Sequence, residues 1–274
     1  MNELSKIIFN QLTKSTRDVR FQILNLAFSA GGGQHLGGGL SMVDIMVYLY
    51  GHLLNIDSIK TCSDSRDRFV LSKGHGVLGF YPVLHHFGLI SDEILSSYKC
   101  FGSELISHPI KNLTFGIESS NGSLGHGLSY AAGIAHALNI RSKSSECIVL
   151  LGDGECNEGS VWEAAMSAVS LKLSNLTAIV DFNGFQSDGS TFDILDQGNL
   201  VDRWKSFGWN ALEIDGHCLQ SIHQAFQSRS SSKPNVIIAR TIKGKGIDFM
   251  ESNNDWHHGI LTQSLYDQAI NALS

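Results

Sequence analysis

The sequence predicts an α/β fold: a mostly parallel sheet with helices on both of its faces. Three observations predict it. Short apolar runs alternate with longer segments of helical periodicity. The runs are apolar throughout, as expected of strands covered on both sides. Glycine and polar clusters follow directly after several of the runs, where open parallel sheets bind ligands.

Taken in order, Leu4, Ile7, Ile8, Leu12, Val19, Ile23 and Leu26 recur every three or four residues, which predicts one long or two short amphipathic helices. This helical arm covers about residues 1–30. A glycine-rich segment follows at 31–39. Ser41-x-x-Asp44 has the form of a capping box, with Met42, Ile45, Met46 and Leu49 as the apolar face of the helix behind it. Residues 68–71 read as a strand ending at Ser72-Lys-Gly-His-Gly76, and 125–141 as a helix rich in Ala and Leu. The apolar run 147–151 stops at Gly-Asp-Gly, a helix covers about 159–172, and the run 176–182 stops at Asn-Gly. Residues 209–214 and 235–241 read as two more strands around a helix at 219–229. No internal repeat or long linker interrupts this order, so 1–274 reads as one domain.

Composition narrows the function classes. The 274 residues include 28 Gly, above an average share of about 7%, but only 3 Pro. Glycine excess without proline excess excludes collagen-like and proline-rich disordered chains and points to close backbone approaches inside a folded domain. With 42% hydrophobic and 17% charged residues the chain can bury a large core. A formal charge of −6 argues against general nucleic-acid binding, but not against phosphorylated ligands held by backbone N–H groups and a metal. No run of 18 apolar residues predicts a membrane span, and the first twenty residues lack the features of a signal peptide. Five cysteines without a C-x-x-C pair read as reduced thiols of a cytoplasmic protein.

The chemistry concentrates at the ends of the strands. Asp153 stands between Gly152 and Gly154 directly after an apolar run, a carboxylate presented on backbone that a ligand can approach closely. The next run ends at Asn183, with 28 residues between it and Gly154, the length of a turn, a helix and a returning strand. A βαβ crossover of that length brings the two strand ends together, so Asp153, Asn183 and the carbonyl of Phe185 can share one hard cation with phosphate oxygens. A dinucleotide site fits less well, because no G-x-G-x-x-G follows an early strand. Cys156 has no basic partner nearby in sequence and reads as a neutral thiol.

Gly-Asp-Gly followed after about 28 residues by Asn resembles the thiamine diphosphate-binding motif, and the remaining segments resemble transketolases. They are Ser29-Ala-Gly-Gly-Gly-Gln-His-Leu-Gly-Gly-Gly-Leu-Ser41, Arg66-Asp-Arg-Phe-Val-Leu-Ser-Lys-Gly-His75, Ser107-His-Pro109, Gly122-Ser-Leu-Gly-His-Gly127, Gly152-Asp-Gly-Glu-Cys-Asn-Glu-Gly159, Val180-Asp-Phe-Asn183, Lys243-Gly-Lys-Gly246 and Trp256-His-His-Gly259. The likeness runs in order along nearly the whole chain, but only to the N-terminal, diphosphate-binding half of that family.

The resemblance implies transfer of a two-carbon ketol unit from a ketose or ketose phosphate to an aldose through thiamine diphosphate. It implies a separate C-terminal subunit carrying the pyrimidine-binding domain, in an assembly of two copies of each. Asp153, Asn183 and Phe185 correspond to ligands of Mg²⁺ (or Ca²⁺). Gly152, Gly154 and Glu155 belong to the diphosphate loop; Gly122, Ser123 and Leu124 correspond to the aminopyrimidine contacts. His75 and His258 correspond to histidines near the diphosphate and thiazolium, with His257 a neighbour that could trade roles with His258; His35 and His108 correspond to histidines that meet substrate hydroxyls, and Glu158 to a carboxylate linking two active sites. Histidine suits the proton transfers such chemistry needs near neutral pH. Leu36 and His126 depart from the family's usual Pro and Gln. The alternatives are a deoxyxylulose phosphate synthase-like or oxoacid dehydrogenase α-like enzyme, or a catalytically silent scaffold protein.

Overall fold

The computed structural model describes residues 3–273. Its centre is a five-stranded, wholly parallel sheet: β1 (Arg68–Leu71), β2 (Cys147–Gly152), β3 (Leu176–Phe182), β4 (Asn210–Asp215) and β5 (Asn235–Arg240). The spatial order is β1-β2-β3-β5-β4, so the Gly-Asp-Gly strand lies directly beside the Asn-Gly strand, in a register that sets Gly152 opposite Asp181.

The strands are mostly apolar because alternate residues feed two cores. Phe69, Leu71, Ile148, Leu150, Ile179 and Ile237 face one cluster; Val70, Val149, Leu151, Ala178, Val180, Val236 and Ile238 face the other. The first core is closed by α1 (Lys6–Ala30), α2 (Leu36–Ser41), α3 (Val43–Tyr48), α4 (Val77–His86) and α8 (Leu219–Gln227). The second is closed by α5 (His126–Ile140), α6 (Gly159–Ser170) and α7 (Leu200–Ser206). The last helix, α9 (Gln263–Leu273), lies against α1. Only β4, at the sheet's edge, alternates buried and more exposed residues. No helix among the described residues is long and apolar enough to cross a membrane.

The N-terminal periodicity resolves into one unbroken helix. Ser5 caps α1 by accepting the Ile8 N–H, and Val19, Ile23 and Leu24 along it are fully buried. The capping box at Ser41–Asp44 is not formed. Ser41 is the last residue of α2, and its hydroxyl donates instead to the Gly38 carbonyl and to Asp181 Oδ2. Asp44 accepts from Arg20 and His217. Buried side-chain partners outcompete a local cap here. Met42, Ile45, Met46 and Leu49 are buried core residues, as their spacing predicts.

Helices α2 and α4 cross so closely that a Cβ on Gly79 would sit 2.3 Å from the Gly39 carbonyl oxygen and 2.7 Å from Met42 Cε. Gly79→Ala should therefore destabilise the fold by about 2 kcal/mol despite alanine's better helix propensity. Thermal unfolding checks this, and an unchanged midpoint would mean that the two helices separate freely.

Candidate active site at the carboxyl edge of the sheet

The carboxyl ends of β1, β2, β3 and β5 open onto a cavity of about 370 Å³. Each wall follows from the backbone beneath it. A short antiparallel ribbon pairs Gly33–Gln34 with Gly259–Ile260, which carries His35 and His257 to the same rim. Gly74–Gly76 forms a helical turn just past β1 that holds His75 in place. A second ribbon pairs Phe185–Gln186 with Gly189–Ser190 just past β3, and Phe185 sits at its start.

Most of the residues singled out in the sequence meet in this cavity. His35, His75 and His108 line it, as do Gly122, Leu124 and Glu158. So do Gly152, Asp153, Gly154, Glu155, Asn183 and Phe185. Two do not. Ser123 is exposed and outside the lining. His258 is also exposed; its ring lies across Gly33 and 4.8 Å from that of His35, and it is His257 that reaches the cavity. The backbone at His258 is extended (φ −145°, ψ 93°), so neighbouring side chains point to opposite sides. A larger groove of about 630 Å³ between α1 and residues 85–100 is lined by none of the candidate site residues.

Asp153 is the most constrained carboxylate of the site. It is 1% exposed; Oδ1 accepts the Gly154 N–H (2.9 Å) and Oδ2 the Gly184 N–H (2.6 Å). Burial, and then the nearby charge of Asp181, push its carboxyl up to about 7, against these N–H donors and Lys73. A cation beside it would reverse that shift. Among the described residues no three of His, Cys, Asp and Glu form a metal-holding group. One carboxylate, one amide and one carbonyl leave coordination positions free, which suits a hard divalent ion shared with phosphate oxygens. The donor set therefore fits Mg²⁺ or Ca²⁺ with a diphosphate.

Glu155 is turned to a different task. Oε1 accepts from the Ser72 hydroxyl and from the Gly125 N–H (2.9 Å), and Oε2 from the Gly152 N–H (3.1 Å). It ties the end of β1, the loop before α5 and the end of β2 together. Cys156 is fully buried, and burial followed by the charges of Glu155 and Asp153 drives its thiol well above its ordinary value, so it is the neutral thiol expected.

Two lysines of the lining, Lys73 and Lys243, stand inside the matched segments but have no role assigned from the sequence. Lys73 is 1% exposed and donates to the Gly38 carbonyl (2.8 Å) and to Asp181 Oδ2. Lys243, also 1% exposed, donates to Asn254 Oδ1 (2.7 Å) and His257 Nδ1 (3.0 Å). Burial, and then the charge of Lys73, bring Lys243 down to about 8. Both lysines stand just past strand ends on the cavity side of the sheet, a placement that could have marked them. Gln197 is a further residue that the sequence does not single out: its Nε2 donates to the Asp153 carbonyl and to Asn157 Oδ1, both at 2.7 Å.

The imidazoles of the site are held neutral. Burial lowers His35 to about 4, aided by His258 and His108; burial lowers His257 to about 4, aided by Lys243. His75 is pushed well below its ordinary value by burial and by Lys73, and His108 is lowered by burial. At neutral pH these rings can therefore accept protons or hydrogen bonds from a ligand in the cavity.

Comparisons with known sequences and structures point to one family. Residues 13–273 match the model of the transketolase, thiamine diphosphate binding domain. A protein of Phocaeicola vulgatus named as one subunit of an apulose-4-phosphate transketolase is 39% identical over 257 residues, covering 93% of this chain and 91% of that protein. The 6-deoxy-6-sulfo-D-fructose transketolase subunit SqwG of a Clostridium species is 39% identical over 241 residues, covering 87% and 88%. Among solved structures, transketolase from Campylobacter jejuni superposes with a TM-score of 0.84 at 28% identity, over 98% of this chain but 43% of that one. The chain spans about two fifths of the length of such single-chain transketolases, human transketolase included. It belongs to the transketolase family, as a thiamine diphosphate binding domain that corresponds along nearly its whole length to proteins named as single subunits of a transketolase.

Proposed function

We propose that the chain is the N-terminal subunit of a two-subunit transketolase, moving a two-carbon ketol unit from a ketose or ketose phosphate to an aldose acceptor. The observation that carries this reading is the buried Asp153 beside Asn183 and Phe185 at the ends of two adjacent parallel strands, facing two lysines and four histidines. The relatives named as transketolase subunits, whose length this chain nearly fills, support the division into two subunits.

In this reading Asp153, Asn183 and the Phe185 carbonyl hold Mg²⁺ (or Ca²⁺) against the diphosphate. Gly154 offers its N–H to a phosphate oxygen, and Lys243 and Lys73 offset the phosphate charge. Gly122 and Leu124 meet the aminopyrimidine through backbone. When bound, thiamine diphosphate supplies the carbon nucleophile and the electron sink. The protein's own groups orient the sugar and move its protons: His35 and His108 at the substrate hydroxyls, His75 and His257 beside the cofactor. We place His257 in the role that the sequence assigns to His258.

Glu158 is exposed at the cavity rim, consistent with a contact across an interface between active sites. The pyrimidine-binding domain would come from the C-terminal subunit, in an assembly of two copies of each. Residues 1–274 act as one diphosphate-binding domain, with α1 packed into its core rather than standing off as an arm. All five cysteines are free, which supports a cytoplasmic setting.

The test is reconstitution. The full chain mixed with its partner subunit, Mg²⁺ and thiamine diphosphate should transfer ketol units between ketose donors and aldose acceptors; the chain alone should not. Turnover by the chain alone would refute the two-subunit reading. Failure of the mixture to bind thiamine diphosphate would refute the enzyme reading.

A further inference from the structure

Beside Ile242, the residue before Lys243, three side chains form a hydrogen-bonded chain, two of them buried and His217 half-buried. Arg20 of α1 reaches Asp44 of α3, Nη2 to Oδ2 at 2.6 Å, and both residues are more than nine-tenths buried. The same Oδ2 lies 2.7 Å from Nδ1 of His217, in the loop between β4 and α8. The other ring nitrogen, Nε2, lies 2.8 Å from the backbone N of Ile242, the residue before Lys243.

These contacts permit one tautomer. The Ile242 N–H can only donate, so Nε2 must be the unprotonated acceptor. Nδ1 therefore carries the hydrogen and donates it to Asp44, a carboxylate already oriented by Arg20. Burial alone would raise the Asp44 carboxyl, but the bond from His217 and the charge of Arg20 outweigh it, keeping Asp44 ionised.

The backbone around Lys243 is pinned elsewhere too. The Gly244 N–H donates to the Gly37 carbonyl (3.0 Å), and the Lys243 carbonyl accepts from Ser252 (2.9 Å). The Lys243 side chain then runs over Gly37, where an added Cβ would lie 2.9 Å from its Cγ. The approach from the strand side is set by the Ile242 N–H, and its acceptor is His217.

We propose that His217 is a positioning residue for cofactor binding: its Nε2, turned toward Ile242 by the Asp44–Arg20 pair, fixes the backbone that aims the Lys243 ammonium into the cavity. This rests on the reading of that cavity as the thiamine diphosphate site. His217 touches neither cofactor nor substrate and acts through Lys243.

Two substitutions separate positioning from general stability. His217→Phe keeps the ring's bulk and removes both bonds. His217→Gln loses the ring donor to Asp44 but can bring Oε1 to accept the Ile242 N–H. The full chain, alone and with its partner subunit, is titrated with thiamine diphosphate at saturating Mg²⁺, and cofactor-free unfolding midpoints are recorded. Both variants should unfold at lower temperature than the wild type. Affinity should fall about tenfold or more in His217→Phe and stay within about threefold of wild type in His217→Gln. Wild-type affinity in His217→Phe, or equal losses in both variants, would overturn the proposal. Should His217→Phe not fold, His217→Met, which fills the space without a comparable acceptor, takes its place under the same criteria. Asp153→Ala is run alongside. If it too leaves cofactor binding intact, the reading of the site fails; if it abolishes binding while His217→Phe does not, only the positioning role fails.

Discussion

Asp153→Ala should lower Mg²⁺-dependent affinity for thiamine diphosphate by roughly 100-fold or more. Losing an outer-shell partner of a metal site commonly costs about 10- to 100-fold, and Asp153 is the carboxylate of the proposed metal ligand set. Its burial makes the effect one-sided. Without a cation the carboxyl is raised to about 7, so the folded chain holds a proton that the unfolded chain releases near 3.8. Cofactor-free stability should therefore be greatest below about pH 4 as far as this group is concerned, and fall as pH rises toward 7. Asp153→Asn should flatten that part of the profile and abolish cofactor binding, while Mg²⁺ with thiamine diphosphate should flatten it in the wild type. Isothermal titration and unfolding curves across this pH range check both statements. Wild-type affinity in Asp153→Ala would show that the metal sits elsewhere.

Lys73→Met should be the most damaging single change to the fold. Asp181 is fully buried near the carboxyl end of β3 and is kept ionised, against the burial penalty, by the Lys73 ammonium first and then by Ser41 and Thr241. Removing one partner of a buried ion pair costs about 3–5 kcal/mol, because the remaining charge has no compensation. For a chain of this size that is a fall of roughly 10 °C in unfolding midpoint. The double variant Lys73→Met/Asp181→Asn should recover much of the loss, since it removes the stranded charge. A single-variant loss below about 1 kcal/mol, or a double variant no better than the single, would show that the pair does not hold the centre of the sheet.

How legible the molecule is depends on the range of the interactions involved. β1, β2 and β3 can be read because strands buried on both faces are mostly apolar, and because Gly-Asp-Gly and Asn-Gly stop β2 and β3 abruptly. The neighbourhood of Asp153 and Asn183 follows from the spacing of one βαβ unit. The roles of Lys73 and Lys243 are hidden because a lysine in a sequence reads as solvated; only the fold shows the buried acceptors at Asp181 and Gly38 and the half-buried one at Asn254. Ser41 illustrates the reverse error: a sound local capping pattern loses to a partner 140 residues away. His257 and His258 are adjacent, so no spacing rule can choose between them. The ribbon that pairs Gly33–Gln34 with Gly259–Ile260 makes the choice.

Glu155 gives the cavity a mechanical property. Its two oxygens hold three chain segments that are far apart in sequence, and one of them is the loop proposed to receive the aminopyrimidine. That loop cannot swing outward without leaving a buried carboxylate short of donors. The pocket wall is thus stiff before any ligand arrives, and little conformational entropy remains to be lost when one binds. Adaptability would have to come from the open rim, where Glu158 stands exposed, rather than from the floor.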